Sequence, residues 1–328
     1  MRIVICPDKF RGTASASGAA QALAAGLLVP NQELVPVPLA DGGEGTLDAL
    51  GGANRVSLVT GPLGDPVEAE WRLSSGAAII EMAQASGLLA AGGSAGNDPL
   101  SATTSGTGEL IAEARASGAR RIVVGVGGSA STDGGLGALR AMEPLVRFSG
   151  IELIVACDVQ TKFLDAPSTF GPQKGATPAQ IELLRRRLTR LAELYLEEFG
   201  VEVRDLAGAG AAGGLGGGLA AIGAQLVNGF DLVAEELRLA NIISKADLVI
   251  TGEGRLDPAS FNGKVVGGVA SIADQHQIPV IAVVGSAHPA TEIPENLKIY
   301  SLTEIFGQDR AFGDTQGCLT QIGRQILT

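Results

Sequence analysis

Short, nearly continuous apolar runs alternate with helical stretches along most of the 328-residue chain. Residues 2–6 form one such run, and the spacing of small apolar side chains over 14–28 predicts a helix after it. Short β-branched runs of this kind are typical of parallel strands that helices cover on both faces. The runs that share this pattern and predict buried strands are 2–6, 33–39, 121–126, 247–250, 279–284 and 298–302.

Other segments have a different pattern. Three of them alternate apolar and polar positions between turn signals, which predicts an antiparallel meander over 55–59, 67–73 and 77–82. Residues 151–155 predict another strand, and 178–199 predict a long charged helix.

A glycine-alanine tract at 207–218 has leucines within and beside it, and it predicts an ordered loop followed by a helix. Together the patterns predict an α/β fold in which a smaller mixed α/β domain is inserted into a parallel-sheet domain. We expect the parallel-sheet domain to consist of 1–50, 98–140 and 238–328. The inserted domain then consists of 51–97 and 141–237.

Composition excludes several classes of protein. With 45% hydrophobic and 18% charged residues, the chain has material for a large core and is not typical of disorder. A net charge of −11 argues against sequence-independent nucleic-acid binding, which needs a positive field over the phosphates. No apolar run approaches the roughly 18 residues of a membrane span. Asp8 and Lys9 interrupt the first run too early for a signal peptide.

The three cysteines, Cys6, Cys157 and Cys318, are far apart and odd in number. That usage fits a reducing compartment without a disulfide framework, so we expect a cytoplasmic protein. Cys6 and Cys157 lie in apolar runs, which indicates small core residues rather than nucleophiles.

Glycines and carboxylates follow four of the predicted strands. The four segments are Pro7-Asp8, 41–45, 127–133 and 252–257. Each alone fits an ordinary turn or helix cap, but ligands of open α/β sheets lie beyond the strands' carboxyl ends, and we expect the four to meet at one edge. Carboxylates collected there repel each other unless a cation is present. A hydrated Mg²⁺ held by one or two carboxylates and nucleotide phosphates would resolve that conflict.

Several polar residues are candidates for binding an anion or moving a proton. Residues 103–109 place hydroxyls and glycines before a predicted helix, which fits either a phosphate-binding turn or a capping box. Lys174 lies in a tight turn, and Lys9 and Arg11 follow the first strand, where an anion would bind. Asp158 follows a strand of the inserted domain and is a candidate base.

Two glycine fingerprints typical of dinucleotide binding occur at 125–130 and 208–213. The first lacks an acidic residue at a strand end about 20 residues further on, and the second follows no clear strand. They support, as an alternative, an NAD(P)-dependent oxidoreductase that acts on a small hydroxy acid.

Taken together, the motifs resemble those of the bacterial glycerate kinase family, in the family's order and over nearly the whole chain. The matching segments are 7–12, 40–46, 60–64, 104–110, 125–130, 157–159, 170–177, 208–215 and 251–257. The resemblance implies two α/β domains, of which the parallel-sheet domain is flavodoxin-like. It also implies ATP-dependent phosphorylation of D-glycerate to a phosphoglycerate with Mg²⁺. The implied partner is this small-molecule substrate, without nucleic acid or membrane.

From the resemblance and the motif chemistry we expect four groups of site residues. The residues expected in catalysis are Asp158, Asp41, Lys174 and Arg11. Those expected to bind ATP are Gly106, Thr107, Gly127, Gly128, Ser129, Gly252, Glu253 and Gly254. Those expected to bind substrate are Asp8, Lys9, Arg255 and Gly213. The expected metal ligands are Asp133 and Glu44.

The chain departs from the family's pattern in a few places. Arg11 replaces a usual lysine, and residues 131–133 read Ser-Thr-Asp where Thr-Asn-Asp is usual. The stretch between Gly137 and Ile151 is much shorter than in typical members, and the residues after Asp158 also differ. We expect these changes to affect acceptor specificity more than phosphate handling. The shortened stretch also supports a third hypothesis, in which the protein is a non-catalytic sensor of sugar acids or nucleotides. The sequence leaves open the choice between the 2- and 3-hydroxyl and whether the chain forms a homo-oligomer.

Overall fold

The computed structural model describes residues 1–10, 12–28, 30–294 and 297–326. The strands among these residues are β1 (Arg2–Pro7), β2 (Glu33–Pro36), β3 (Arg55–Thr60), β4 (Pro66–Ser74), β5 (Ala77–Glu81), β6 (Arg121–Gly125), β7 (Glu152–Cys157), β8 (Gln225–Asn228), β9 (Leu248–Leu256), β10 (Val280–Ala287) and β11 (Leu297–Ser301).

The α-helices of the described residues range from single turns to a helix of 22 residues. They are α1 (Ala16–Gly26), α2 (Thr46–Ala49), α3 (Met82–Ser86), α4 (Gly93–Gly96), α5 (Ser105–Ala116), α6 (Leu136–Met142), α7 (Ala166–Phe170), α8 (Pro178–Phe199), α9 (Ala211–Ala221), α10 (Gly229–Glu236), α11 (Leu239–Ile243), α12 (Val265–Gln275), α13 (Leu302–Phe306), α14 (Gln308–Gly313) and α15 (Thr315–Ile326). Short 3₁₀ helices cover Leu145–Phe148, Phe163–Asp165, Pro172–Lys174 and Pro258–Phe261. These described helices are all too short or too polar to span a bilayer.

The chain divides into two compact units. The first comprises Met1–Asp41, Asp48–Leu50 and the chain from Gly229 onward, and the second comprises Gly42–Leu47 and Gly51–Asn228. The two-domain α/β fold expected from the sequence is confirmed. However, the inserted unit is the larger of the two, not the smaller.

The sheet of the first unit has the strand order β11-β10-β9-β1-β2, and all its pairs are parallel. Numbered within this unit alone, the order is that of a flavodoxin-like sheet, as expected. Ile3 and Ile5 of β1 pack among residues of α1 and α15, whereas Val4 and Cys6 pack on the other face with residues of α12. Because both faces are covered, the strand is apolar at every inner position.

The sheet of the second unit has the order β3-β4-β5-β6-β7-β8. β3, β4 and β5 form the predicted antiparallel meander, and β5 to β8 pair in parallel. Trp71 of β4 is fully buried, and its indole Nε1 donates a hydrogen bond of 2.9 Å to Ser57 Oγ on β3. Because β5, β6, β7 and β8 pair in parallel, their carboxyl ends form one edge of this sheet.

The sequence patterns assign residues 98–140 to the first domain, whereas the structure places them in the second unit. The reason is strand pairing, because β6 has β5 on one side and β7 on the other. The chain also passes from the second unit back to the first at Gly229, rather than at the expected residue 238.

The glycine-alanine tract forms an ordered, non-helical segment up to Gly214, as expected, and its last residues belong to the regular helical part of α9. Ala212, Gly213 and Gly214 have left-handed backbone angles, and every residue of α9 is buried. A Cβ at Gly214 would lie 2.8 Å from Gly134 Cα. Small residues are therefore required because neighbouring backbone approaches the start of this helix closely.

The long charged helix predicted over 178–199 is confirmed as α8. A reciprocal capping box begins it, in which Thr177 N donates to Gln180 Oε1 at 2.8 Å and Gln180 N donates to Thr177 Oγ1 at 3.3 Å. Gly200, with φ of 71°, ends it in the left-handed conformation that favours glycine.

Candidate functional site

A cavity of about 620 Å³ lies in the first unit. It is formed around the carboxyl end of β1, the outer part of β9 and the end of β10. Between β1 and β9 the strand order reverses direction, which is where open α/β sheets bind their ligands. The charged side chains that line the cavity are Asp8, Lys9, Asp41, Glu253, Arg255, Asp257 and Lys264.

Asp8 and Glu253 are neighbours across this pair of strands. Pro7 is paired with Gly252, and Asp8 N donates to the Gly252 carbonyl oxygen at 2.8 Å, which sets Asp8 beside Glu253. Asp8 is 7% and Glu253 8% exposed. Two carboxyl groups are thus held largely out of water on adjacent strands, at the wall of the cavity.

This arrangement disfavours the charged form of both acids. Burial raises the pKa of Asp8 to about 6, against the opposing charge of Lys9 and with a further increase from Asp41. Burial raises the pKa of Glu253 to about 7, and Asp8 adds to this increase. A hydrogen bond from Ser260 and the charge of Lys264 act in the opposite direction.

Cationic groups lie among these acids. Lys9 Nζ is 3.9 Å from Asp8 Oδ1 and 3.7 Å from Asp41 Oδ1, so its ammonium group lies between the two carboxylates. The charge of Lys264 acts on both Asp8 and Glu253. Arg255 is exposed at the cavity. Arg11, which the sequence also predicts here, lies outside the described residues.

The two glycines predicted to bind ATP in this unit differ in position. Gly254 lines the cavity, and its N–H donates to the Lys9 carbonyl oxygen at 3.3 Å. A Cβ at Gly252 would collide with the carbonyl oxygen of Val283 on β10. Gly252 is therefore explained by the close approach of two strands.

The expectation that four strand-end segments meet at one sheet edge is wrong. Pro7-Asp8, Asp41 and 252–257 belong to the first unit, and 42–45 and 127–133 belong to the second. Each group therefore lies with its own sheet.

In the second unit, the segment Gly42–Leu47 is attached to the carboxyl edge of the sheet. Glu81, the last residue of β5, is 4% exposed, and its Oε1 accepts the N–H groups of Gly45 and Leu47 at 2.8 Å each. Sequence reasoning missed Glu81, although a lone glutamate that ends an apolar strand was the available signal. Glu44, a predicted metal ligand, is exposed on this segment.

The first dinucleotide fingerprint packs against the same segment. A Cβ at Gly127 would lie 2.7 Å from Gly43 Cα, and one at Gly125 would lie 2.8 Å from the Gly42 carbonyl oxygen. These glycines accommodate the chain's own backbone, which removes the main support for the oxidoreductase alternative. Gly128 has φ of 69° and serves the turn after β6.

Lys174 and Ser129, both predicted site residues, are in contact. Lys174 is 2% exposed, and its Nζ donates to Ser129 Oγ at 2.7 Å and to the Ser131 carbonyl oxygen at 2.5 Å. Burial lowers the pKa of Lys174 to about 7, against the nearby charge of Asp133. The structure thus places an amine that titrates near neutral pH in this cluster.

Asp133 is held by several protein donors. Its Oδ2 accepts from Thr104 N at 2.9 Å, Thr104 Oγ1 at 2.8 Å and Gly137 N at 3.2 Å, and its Oδ1 accepts from Gly135 N at 3.1 Å. Such a carboxylate fits a role in fixing the turn before α6 better than a role as metal ligand. Among the described residues, no group of three or more His, Cys, Asp and Glu side chains is arranged to hold a metal.

Three further predicted residues are buried in packing contacts. A Cβ at Gly106 would collide with the Thr60 carbonyl oxygen, and one at Gly213 with that of Ser131. Thr107 Oγ1 is 2.9 Å from Ser86 Oγ, and both side chains are fully buried. The geometry explains these residues through contacts between α5, α9 and their neighbours, without a ligand.

Asp158 is half-buried and directly follows β7. Gly125 of β6 is paired with Ala156 of β7, so Asp158 lies at the same sheet edge as Gly127 and Gly128. This agrees with the predicted position, and the role as a base stays a prediction.

The sequence profile of the glycerate kinase family matches residues 3–144 and 142–327. The chain belongs to the glycerate kinase family. It is 42% identical over 370 aligned residues to the glycerate 2-kinase of Escherichia coli K12, covering 99% of this chain and 97% of that protein. It is also 42% identical to the glycerate kinase of Halalkalibacterium halodurans over 368 residues, with the same coverage.

A solved structure assigned as a glycerate kinase 2 from Salmonella typhimurium LT2 has the same fold. Its TM-score is 0.83 at 38% sequence identity, with 99% of this chain and 97% of that chain covered. This likeness agrees with the two-domain α/β architecture described above.

The family match divides into two parts in this member of the glycerate kinase family. The two matched parts meet at residues 142–144, and the alignment to the Escherichia coli enzyme is longer than the 328 residues of the chain. The join follows α6 and precedes β7, whose first residue, Glu152, is paired with Arg121 at the start of β6. It therefore lies at the amino edge of the sheet, opposite the edge with Gly127 and Asp158.

Proposed function

We propose that this chain is a kinase that transfers the γ-phosphoryl group of ATP to a hydroxyl group of D-glycerate and releases a phosphoglycerate. Membership of the glycerate kinase family, with named relatives matched over nearly their full length, supports the reaction. We place the reaction in the cavity between β1 and β9. The observation that supports this location is the presence of both carboxyl and cationic groups there.

The residues of the cavity suit a polyanionic substrate. Phosphoryl transfer needs mainly positioning and charge neutralisation, and Lys264 and Lys9 supply compact positive charges for phosphate oxygens. Arg255 is exposed at the cavity and has the planar fork that binds a carboxylate, such as that of glycerate, through two hydrogen bonds. Asp41 lies near Lys9 and is placed to orient a hydroxyl group or accept its proton.

Mg²⁺ bound with the nucleotide would neutralise charge on the transferring phosphoryl group. The donor set of the cavity fits this ion, because Mg²⁺ prefers carboxylate oxygens and keeps several waters and phosphate oxygens as further ligands. Asp133 fits it poorly, because protein N–H and O–H groups already bind its carboxylate.

We place the phosphoryl group on the 2-hydroxyl, and the name of the Escherichia coli relative, glycerate 2-kinase, supports this choice. We also propose a cytoplasmic location, which the three buried, free cysteines support. The proposed partner is the small-molecule substrate, and the acidic net charge argues against nucleic acid.

A coupled assay of ADP release tests the reaction. We expect release that depends on D-glycerate, ATP and Mg²⁺ together, and no increase on adding glycerate would reject the proposal. Lys264→Met should lower kcat/KM more than about tenfold, whereas Lys245→Met, at an exposed position of the same unit, should leave it unchanged. A phosphorus NMR spectrum of the product distinguishes 2-phosphoglycerate from 3-phosphoglycerate.

A further inference from the structure

Glu253 has a buried carboxylate oxygen without a partner. The side chain is 8% exposed and lines the cavity, and its Oε1 accepts no hydrogen bond within the part of the chain that the structure describes. The Ser260 side chain lies close to the same carboxylate group. Removing a carboxylate oxygen from water without a donor or cation costs several kcal/mol, so its place at a cavity wall points to a ligand.

Asp8 presents a second oxygen beside it. Asp8 Oδ1 accepts the backbone N–H of Lys9 at 2.7 Å, and Oδ2 accepts no hydrogen bond from the described residues. The register of β1 and β9 makes Asp8 and Glu253 cross-strand neighbours. Two carboxylate groups, one directly after β1 and one in β9, therefore line one cavity.

We propose that Asp8 and Glu253 are the protein ligands of the divalent cation that accompanies the nucleotide phosphates, in place of Asp133 and Glu44. This inference rests on the proposed phosphoryl transfer from ATP. Two carboxylates suit Mg²⁺, which is usually bound by one or two protein carboxylates, with substrate phosphates and waters as the other ligands.

The neighbouring cations fit the same arrangement. Lys9 Nζ is 3.9 Å from Asp8 Oδ1, beyond hydrogen-bond distance, and it also approaches Asp41 at 3.7 Å. Its charge is thus shared between two acids and does not satisfy the carboxylate of Glu253. Lys9 and Lys264 line the same cavity and would contact the phosphate oxygens of a nucleotide bound there with the cation.

Binding of Mn²⁺, measured by the loss of its free electron paramagnetic resonance signal in the presence of ADP, tests the ligands without any turnover. Glu253→Gln and Asp8→Asn should each weaken Mn²⁺ binding more than about tenfold. Glu304→Gln, at an exposed position of the same unit, should change it less than twofold. Affinity within twofold of wild type for folded Glu253→Gln and Asp8→Asn would overturn the assignment.

A measurement on the unaltered protein avoids any dependence on how the variants fold. In crystals with Mn²⁺ and ADP, the anomalous scattering peak should lie within about 2.5 Å of oxygens of both Asp8 and Glu253. A peak at Asp133, at Glu44 or elsewhere would overturn the assignment.

The two proposals fail separately. Glycerate-dependent ADP release with unchanged Mn²⁺ affinity in Glu253→Gln would reject the metal ligands alone. Mn²⁺ binding that depends on Glu253, without any glycerate-dependent release of ADP, would reject glycerate as the substrate and leave the metal ligands in place.

Discussion

The ammonium nitrogen of Lys174 lies 2.7 Å from the hydroxyl oxygen of Ser129. The same nitrogen is 2.5 Å from the Ser131 carbonyl oxygen, and the lysine side chain is 2% exposed. Burial without a carboxylate in direct contact lowers the pKa of Lys174 to about 7, although Asp133 opposes the shift. The shifted pKa of Lys174 therefore makes the stability of the protein depend on pH in a direction that can be stated in advance.

Replacing Lys174 by methionine should change how stability depends on pH. The ordinary lysine pKa is 10.5, so between about pH 7 and 10.5 the unfolded chain binds more protons at this position than the folded chain. The wild-type free energy of unfolding should therefore rise with pH in this window, by up to about 1.4 kcal/mol per unit from Lys174. Lys174→Met loses this contribution, which urea unfolding at pH 7, 8.5 and 10 measures.

Lys245→Met, at an exposed position, is the matched control and should give a pH dependence parallel to wild type. If the Lys174→Met and wild-type curves were also parallel, the lysine would be charged in the folded protein across the whole range.

Glu253→Gln should stabilise the metal-free protein at pH 8. The pKa of Glu253 is raised from 4.5 to about 7, so the folded state binds more protons than the unfolded chain between these values. Stability from this group is present at pH 4.5 and is lost as the pH rises towards 7, by up to about 1.4 kcal/mol per unit. Glutamine carries no charge and avoids the loss. Melting temperatures in EDTA at pH 5 and pH 8 measure it, and an equal difference at both values would contradict the argument.

Much of the fold follows from the sequence because buried parallel strands show themselves locally. β1 is apolar on both faces, since Ile5 and Cys6 face different layers of helices. A short, continuous apolar run of this kind is typical of a buried parallel strand. The membership of β6 could not be predicted in this way. Its sequence, like that of β1, fits a central strand of either sheet, and only its pairing with β5 and β7 decides.

The sequence predicts that several of the acids lie together, but it does not reveal what the glycines contact. Asp8, Asp41 and Glu253 share one cavity because strand ends of one sheet share an edge. Glycine, by contrast, is required wherever another group approaches the backbone closely. That group can belong to the protein itself or to a ligand. Gly127 and Gly213 illustrate this, since the chain's own backbone fills the space where a Cβ would lie.

Gly213→Ala should destabilise the second unit by about 3 kcal/mol or more. A Cβ there would collide with the Ser131 carbonyl oxygen, and the backbone has φ of 68°. Gly223→Ala is the matched control, because Gly223 has φ of 98° but open space around its Cα, and it should cost only about 1 kcal/mol. Chemical denaturation of both variants separates the collision from the backbone strain. Equal losses would contradict a packing role for Gly213.

Lengthening the chain near residues 142–150 should leave catalysis intact. The two parts of the family match overlap at 142–144, and the connection from α6 to β7 runs along the amino edge of its sheet. Ser149 and Gly150 are exposed, and nothing lies within 4 Å of a Cβ built at Gly150. An insertion of about eight glycine and serine residues between them is therefore accommodated in solvent.

We expect kcat/KM for glycerate to stay within twofold of wild type in this insertion variant. Any fall in melting temperature would report the loss of the bond from Ile151 N to the Phe148 carbonyl oxygen, 3.0 Å long. A loss of kcat/KM greater than tenfold at unchanged melting temperature would place the connection in contact with substrate. In that case the shortened stretch would govern acceptor choice, as the chain's departure from the family's pattern predicts.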